Sequence, residues 1–225
     1  MLKPRKRLVK AKLKEDKLLI FTARVQSWAM KYQRHLLYGA GAIVVIVALG
    51  VAYGMSKSSA NKNAAYEVFL AWDAFNRAEY DQAATHAKTV MDDYPGTSSA
   101  SAAMMLQARV HEQRGEYDEA MKLYREVIDA NDDSYLTFGA YSAAGAIYYG
   151  KGEYTEAAKN YEAAADNYPQ HFSAAAALLD AGKSLKKVGK FDAAKKVLRR
   201  ALSDYPKSRV LGEVRTELEE LEFEP

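Results

Sequence analysis

Residues 145–169 read GAIYYGKGEYTEAAKNYEAAADNYP. Two apolar stretches of helical composition meet at Gly152, a residue that stops a helix without strain. Beyond it Tyr154, Ala157, Tyr161 and Ala164 recur at spacings of three and four, one face of an α-helix, and Pro169 closes the stretch. Moving outward in steps of 37 residues recovers the same unit. The aromatic position is Tyr80, Tyr117, Tyr154 and Phe191, and three residues later stand Ala83, Ala120, Ala157 and Ala194. Gly115, Gly152 and Gly189 precede three of the four aromatics by two residues, with Ala78 in the remaining place. Tyr124, Tyr161 and Leu198 share a column, and Pro95, Pro169 and Pro206 close three of the units. A constant period with several agreeing columns predicts an array of two-helix hairpins that bury their apolar faces by stacking.

These columns resemble the tetratricopeptide repeat over about residues 64–206, and the third unit, with Gly145, Tyr148, Gly152, Tyr154, Ala157, Tyr161, Ala164 and Pro169, is the nearest copy. The period of 37 exceeds the 34 of the family, so the junctions must be longer, as DDYPGTSSASA and DNYPQHFSAAA suggest. Such YP-containing junctions are similar to those of bacterial envelope proteins, among them the outer-membrane assembly lipoprotein and the cell-division coordinator of the Tol system. After Pro206, Val210, Leu211, Val214, Leu218 and Leu221 form one more apolar stripe, with Glu213, Glu217, Glu219, Glu220 and Glu222 expected to face outward. Residues 207–225 are therefore expected to cap the array. An acidic tail is the alternative, and the regular stripe counts against it.

Before the repeats lies the uncharged run LLYGAGAIVVIVALGVAYGM, residues 36–55. Twenty helical residues reach about 30 Å, the hydrocarbon thickness of a bilayer, so residues 35–56 are expected to form one transmembrane helix. Tyr38 and Tyr53 stand near its ends, where amphipathic rings favour the interface. A cleaved signal peptide would have a shorter basic region and a shorter apolar one. Gly50 and Gly54 make one GxxxG spacing, a weak signal in a glycine-rich span. Residues 56–63, SKSSANKN, read as a polar linker, whose last seven residues separate the span from the repeats.

Charge is distributed unevenly. Residues 1–34 hold eleven Lys or Arg against Glu15 and Asp16, a balance of +9 in a chain of net charge +3, which leaves residues 35–225 at −6. The asymmetry predicts a cytoplasmic N-terminus and an extracytoplasmic, periplasmic repeat domain in the inner (plasma) membrane. Leu18, Phe21, Val25, Trp28 and Tyr32 recur at helical spacing and predict an amphipathic helix in the headgroup layer. Lys3, Arg5, Lys6, Arg7, Lys10, Lys12 and Lys14 fit anionic lipid better than nucleic acid, so no nucleic-acid partner is expected.

Chemistry-bearing motifs are scarce. There is no cysteine, and His35, His86, His111 and His171 lack a ligand-spaced companion, so no metal, no cofactor and no enzymatic activity are expected. GKSLKKVGK at 182–190 only superficially resembles a phosphate loop. What remains is the concave wall, which the resemblance places on columns of each first helix. These are Val68, Trp72, Phe75 and Asn76; then Met105, Arg109, Glu112 and Gln113. Ser142, Ala146 and Tyr149 follow, then Leu179, Lys183, Lys186 and Lys187. The wall thus runs from aromatic to basic, a groove for protein segments, with Trp72 and Phe75 open to a second reading as core. A basic tip, one span and a repeat domain together resemble the ancillary subunit of the bacterial Sec translocon, which implies a non-enzymatic interaction scaffold near periplasmic chaperones. A structural docking subunit of another large inner-membrane complex is the alternative.

Overall fold

The computed structural model describes residues 17–222. The seven basic residues from Lys3 to Lys14 and the last three residues of the expected cap lie outside them, as does the side chain of Leu18. Every element among the described residues is helical: α1 (Lys17–Lys31), α2 (Gln33–Asn76), α3 (Tyr80–Asp93), α4 (Ala100–Gln113), α5 (Tyr117–Ala130), α6 (Ser134–Gly150), α7 (Tyr154–Asn167), α8 (Ala174–Lys187), α9 (Phe191–Asp204) and α10 (Leu211–Glu222). The chain divides into two compact units at Ser56/Lys57.

In the first unit, α1 leaves Phe21, Val25 and Trp28 exposed together with Arg24, Gln26 and Ser27. The apolar run 36–55 lies within α2, unburied throughout, and α2 is long and apolar enough to cross a membrane. Residues 57–63, expected as a linker, are helical and belong to α2. The reason is local: the stretch contains neither Gly nor Pro, and Ala64 at its end is fully buried, so the helix gains packing by continuing.

The second unit is built of hairpins α2–α3, α4–α5, α6–α7 and α8–α9. One device ends all four first helices. Gly115, Gly152 and Gly189 adopt φ of 75°, 78° and 70°, and Ala78 adopts 59° in the fourth place. The next residue in each case, Glu79, Glu116, Glu153 or Lys190, donates its backbone N–H to the carbonyl five residues back, at 2.9–3.0 Å. This left-handed closure satisfies two orphan carbonyls per helix and turns the chain back.

The alanine column Ala83, Ala120, Ala157 and Ala194 is wholly buried where paired helices meet. Close approach is enforced at Gly145 and Gly182 as well. A Cβ on Gly182 would lie 2.6 Å from Leu198, and one on Gly145 2.9 Å from Tyr161, so these glycines make room for the large residue of the second helix. Proline follows α3, α7 and α9, whereas α5 ends at Asn131 with φ 46° and α6 starts at Asp133, whose carboxylate accepts from the N–H of Tyr135 and Leu136 at 2.8 and 3.1 Å. Between hairpins an ion pair repeats in register: Arg114 with Asp81, then Lys151 with Asp118 at 2.8 Å. Lys151 holds the Asp118 carboxyl below its usual range, but Asp118 is solvent-exposed and such pairs contribute little to stability.

At the far end α10 buries Leu211, Val214 and Leu221, with Val214 and Leu221 joining the core formed by α7, α8 and α9.

Candidate protein-interaction wall

The first-helix columns split into two clusters. In the first, Trp72 and Phe75 lie on α2 at a spacing of three and meet edge to face, with centroids 5.8 Å apart. Arg109, one period after Trp72, sets its guanidinium over both rings, 5.3 Å from Trp72 and 5.1 Å from Phe75. Tyr80 closes the group from the other side, 5.5 Å from Phe75, and its hydroxyl donates to Gln113 Oε1 at 3.5 Å. Each of the two rings is half-buried: one side packs on Ala64, Ala71, Ala74 and the facing helices, and the other carries the arginine. Trp72 and Phe75 therefore belong to core and surface at once. Glu112, in the Phe75 column, accepts the buried Tyr124 hydroxyl at 2.7 Å, and burial raises that phenol above its usual range.

In the second cluster Tyr149, Lys183, Lys186 and Lys187 line one cleft of about 400 Å³ together with Phe191 and Glu217. The lysines were expected to form a basic end. Instead Lys183 bonds Glu213, and Lys186 bonds both Glu217, at 3.0 Å, and Glu220. Glu213 and Glu220 are exposed, as expected, while also pairing with α8, and the outward orientation is corrected for Glu217, which is largely covered. The three sit at spacings of four and three on α10, one helical face, and that face meets α8. Burial, the largest single influence, lowers the Lys183 pKa, but the hydrogen bond it donates to Glu213 and the charges of Glu213, Asp180 and Glu217 together outweigh it, so the ammonium titrates above its ordinary range. Lys186 is raised chiefly by its bond to Glu220. Lys187 is exposed.

Of the other expected positions, Val68 and Met105 are half-buried against the cores, Ala146 and Asn76 are exposed, and Ser142 is half-buried. Leu179 is only 3% exposed and is removed from the wall, because it packs into the α7–α9 core. His86 and His111, expected to lack companions, each meet one carboxylate, Glu67 at 2.7 Å and Glu116 at 2.5 Å. Among the described residues no group of three or more His, Cys, Asp or Glu is arranged to hold a metal.

The expectation missed one cluster altogether. His171 stacks on Phe138 with centroids 3.7 Å apart and presents an edge to Tyr135 at 5.1 Å, beside Phe172. Tyr135 and Phe172 stand one period apart, but Phe138 and His171 lie outside that column, so only the fold brings the four together.

Comparison with known proteins agrees with this architecture. Family models described as tetratricopeptide repeat match residues 70–135 and 136–207. No curated protein matches the chain by sequence. Among solved structures, Pseudomonas aeruginosa pilF is 16% identical with a TM-score of 0.57, covering 72% of this chain and 69% of its own. MamA from AMB-1 is 18% identical with a TM-score of 0.51, over 69% and 85% of the two chains. MamA 41-end from Desulfovibrio magneticus RS-1 is 15% identical with a TM-score of 0.51, over 71% and 95%. At these identities the likeness concerns the fold. The matching family is a protein-interaction module, and its models span residues 70–207 without interruption. The chain belongs to the tetratricopeptide repeat family.

Proposed function

We propose that this protein is a non-enzymatic interaction scaffold of the bacterial cell envelope, anchored in the inner membrane through residues 36–55 with its repeats on the periplasmic side. The observation that carries the reading is the Trp72–Phe75–Arg109 cluster, two half-buried rings and a stacked cation on wall columns of an interaction module. Large aromatic and arginine side chains in this setting are the residues that dominate recognition. The unburied twenty-residue apolar run and the +9 segment before it support the anchor and its orientation. In the first reading it acts as an ancillary subunit of the Sec translocon, with secretory chains and periplasmic chaperones as partners. A fixed docking subunit of another inner-membrane complex is the second reading, and the ion-paired far end of the wall favours it, since lysines already held by α10 are less open to a changing set of partners.

Crosslinking in native membranes followed by mass spectrometry tests the proposal. The double change Trp72→Ala with Phe75→Ala should weaken partner capture by roughly 2–4 kcal/mol if both rings anchor. Its melting curve has to be recorded in parallel, because each ring also packs on the core. A folded double variant that captures every partner would remove the wall as the recognition surface. Enrichment of unfolded secretory chains favours the translocon role, and one stoichiometric complex favours the docking role.

A further inference from the structure

Interior first helices bury two faces. On α6, Phe138, Tyr141 and Tyr148 pack toward α7 and α8, while Ala140, Ala144 and Ile147 pack on α5, the preceding hairpin. The second face recurs in register. The Ala140 column is 0% exposed at Ala103, 0% at Ala140 and 4% at Ala177, but its first-hairpin member is Tyr66, which is 61% exposed. Leu106 is 0% exposed, and its counterpart Phe69 is 64% exposed. Val110, Ile147 and Ser184 are buried, and their counterpart Asp73 is exposed. Lys62, Tyr66, Phe69 and Asp73 form one stripe of α2, at spacings of four, three and four, opposite the buried Ala64, Ala71 and Ala74. The array is thus closed at one end by α10, with Glu219 and Glu222 outward, and ends at the other in two exposed aromatics. A terminal face that only met water would be polar.

We infer that this stripe docks a helix of a second, different protein, seated antiparallel to α2 as α3 sits on α4 and α5 on α6. Three observations define the occupant. The Tyr66 and Asp73 columns are buried in every later hairpin, and the Phe69 column at Leu106, so the interface continues an existing one. In the Tyr66 column the interior offers Ala103 and Ala140 to large residues such as Val90 and Leu123, and in the Phe69 column it offers Leu106; Tyr66 and Phe69 are each larger than these counterparts, so the incoming helix presents Ala, Gly or Ser at spacings of three and four. Lys62 lies at the N-terminal end of the stripe and Asp73, which also pairs with Arg77 at 3.1 Å, at its C-terminal end. An antiparallel helix brings its negative C-terminal end to Lys62 and its positive N-terminal end to Asp73. A second copy docked antiparallel through the same stripe would match these charges, but it would set Tyr66 and Phe69 against the large rings of Phe69 and Tyr66, with no small residue to receive them.

The inference is independent of the wall, and the test is made on the full chain in whole cells. A photoreactive benzophenone amino acid replaces Tyr66 or Phe69 in turn, with Glu219 on α10 as the control position, and crosslinked peptides are sequenced. Adducts at 66 and 69, absent at 219, should map to a helical segment of one other protein with small residues at three- and four-residue spacing. In a second arm the benzophenone replaces Ala65, on the flank of the stripe, and Tyr66→Ser with Phe69→Ser should reduce that adduct at least tenfold at an unchanged melting temperature. Adducts confined to lipid, to a second copy or to segments without that pattern overturn the inference, and so do adducts no stronger than the control. A melting temperature that falls in the double variant overturns it too, since the rings would then stabilise the chain's own fold.

Discussion

Ala78 occupies a backbone conformation that its three counterparts give to glycine, φ 59° against 70–78°. An L-residue there carries a steric cost that glycine avoids, so Ala78→Gly should stabilise the fold by about 0.5–1 kcal/mol, whereas Gly115→Ala should destabilise it by a similar amount. Denaturant unfolding checks both, and a loss of stability in Ala78→Gly would mean that the left-handed closure is not what sets the turn. His171 makes a second residue-level case. Burial against Phe138 holds its pKa below the ordinary histidine range, so the folded state binds fewer protons than the unfolded one just below pH 6.5. Stability should therefore fall as pH drops through and below that value, and His171→Phe should flatten that part of a melting-temperature profile. An unchanged profile would show that the ring is as well solvated as in the unfolded chain. The turn glycines were legible because they repeat every 37 residues. The His171 cluster was not, since Tyr135 and Phe138 reach it only through the packing of α6 against the α7–α8 junction.

Among the elements, α10 distinguishes apolar from ionic cohesion. Leu221 and Val214 are fully buried, while the partners of Lys183 and Lys186 remain partly in water. Leu221→Ala should cost about 2–4 kcal/mol through lost burial and a cavity. The triple change Glu213→Gln, Glu217→Gln and Glu220→Gln should cost about 1 kcal/mol, and less at high salt. Denaturant midpoints at two ionic strengths decide between them, and a triple variant that loses more than Leu221→Ala would make the cap an electrostatic clasp. The stripe of α10 could be read from its three- and four-residue spacing, but the pairing of its glutamates required knowing that α10 sits beside α8. One further signal was present: Glu220 stands 37 residues after Lys183, in the same column. Residues 57–63 have the polar, serine-rich composition of a linker, yet they are helical because nothing in them breaks a helix.

At the scale of the whole chain, the positive segment, the apolar run and the repeats follow one another in a fixed order, and that order carries the proposed topology. Because the chain has no cysteine, Ser98→Cys in the junction after α3 and Thr22→Cys in α1 each report one side of the membrane without background. With an impermeant thiol reagent on spheroplasts, position 98 should label and position 22 should label only after the membrane is opened. Labelling of position 22 with protection of position 98 would place the repeats in the cytoplasm and contradict the proposed envelope scaffold.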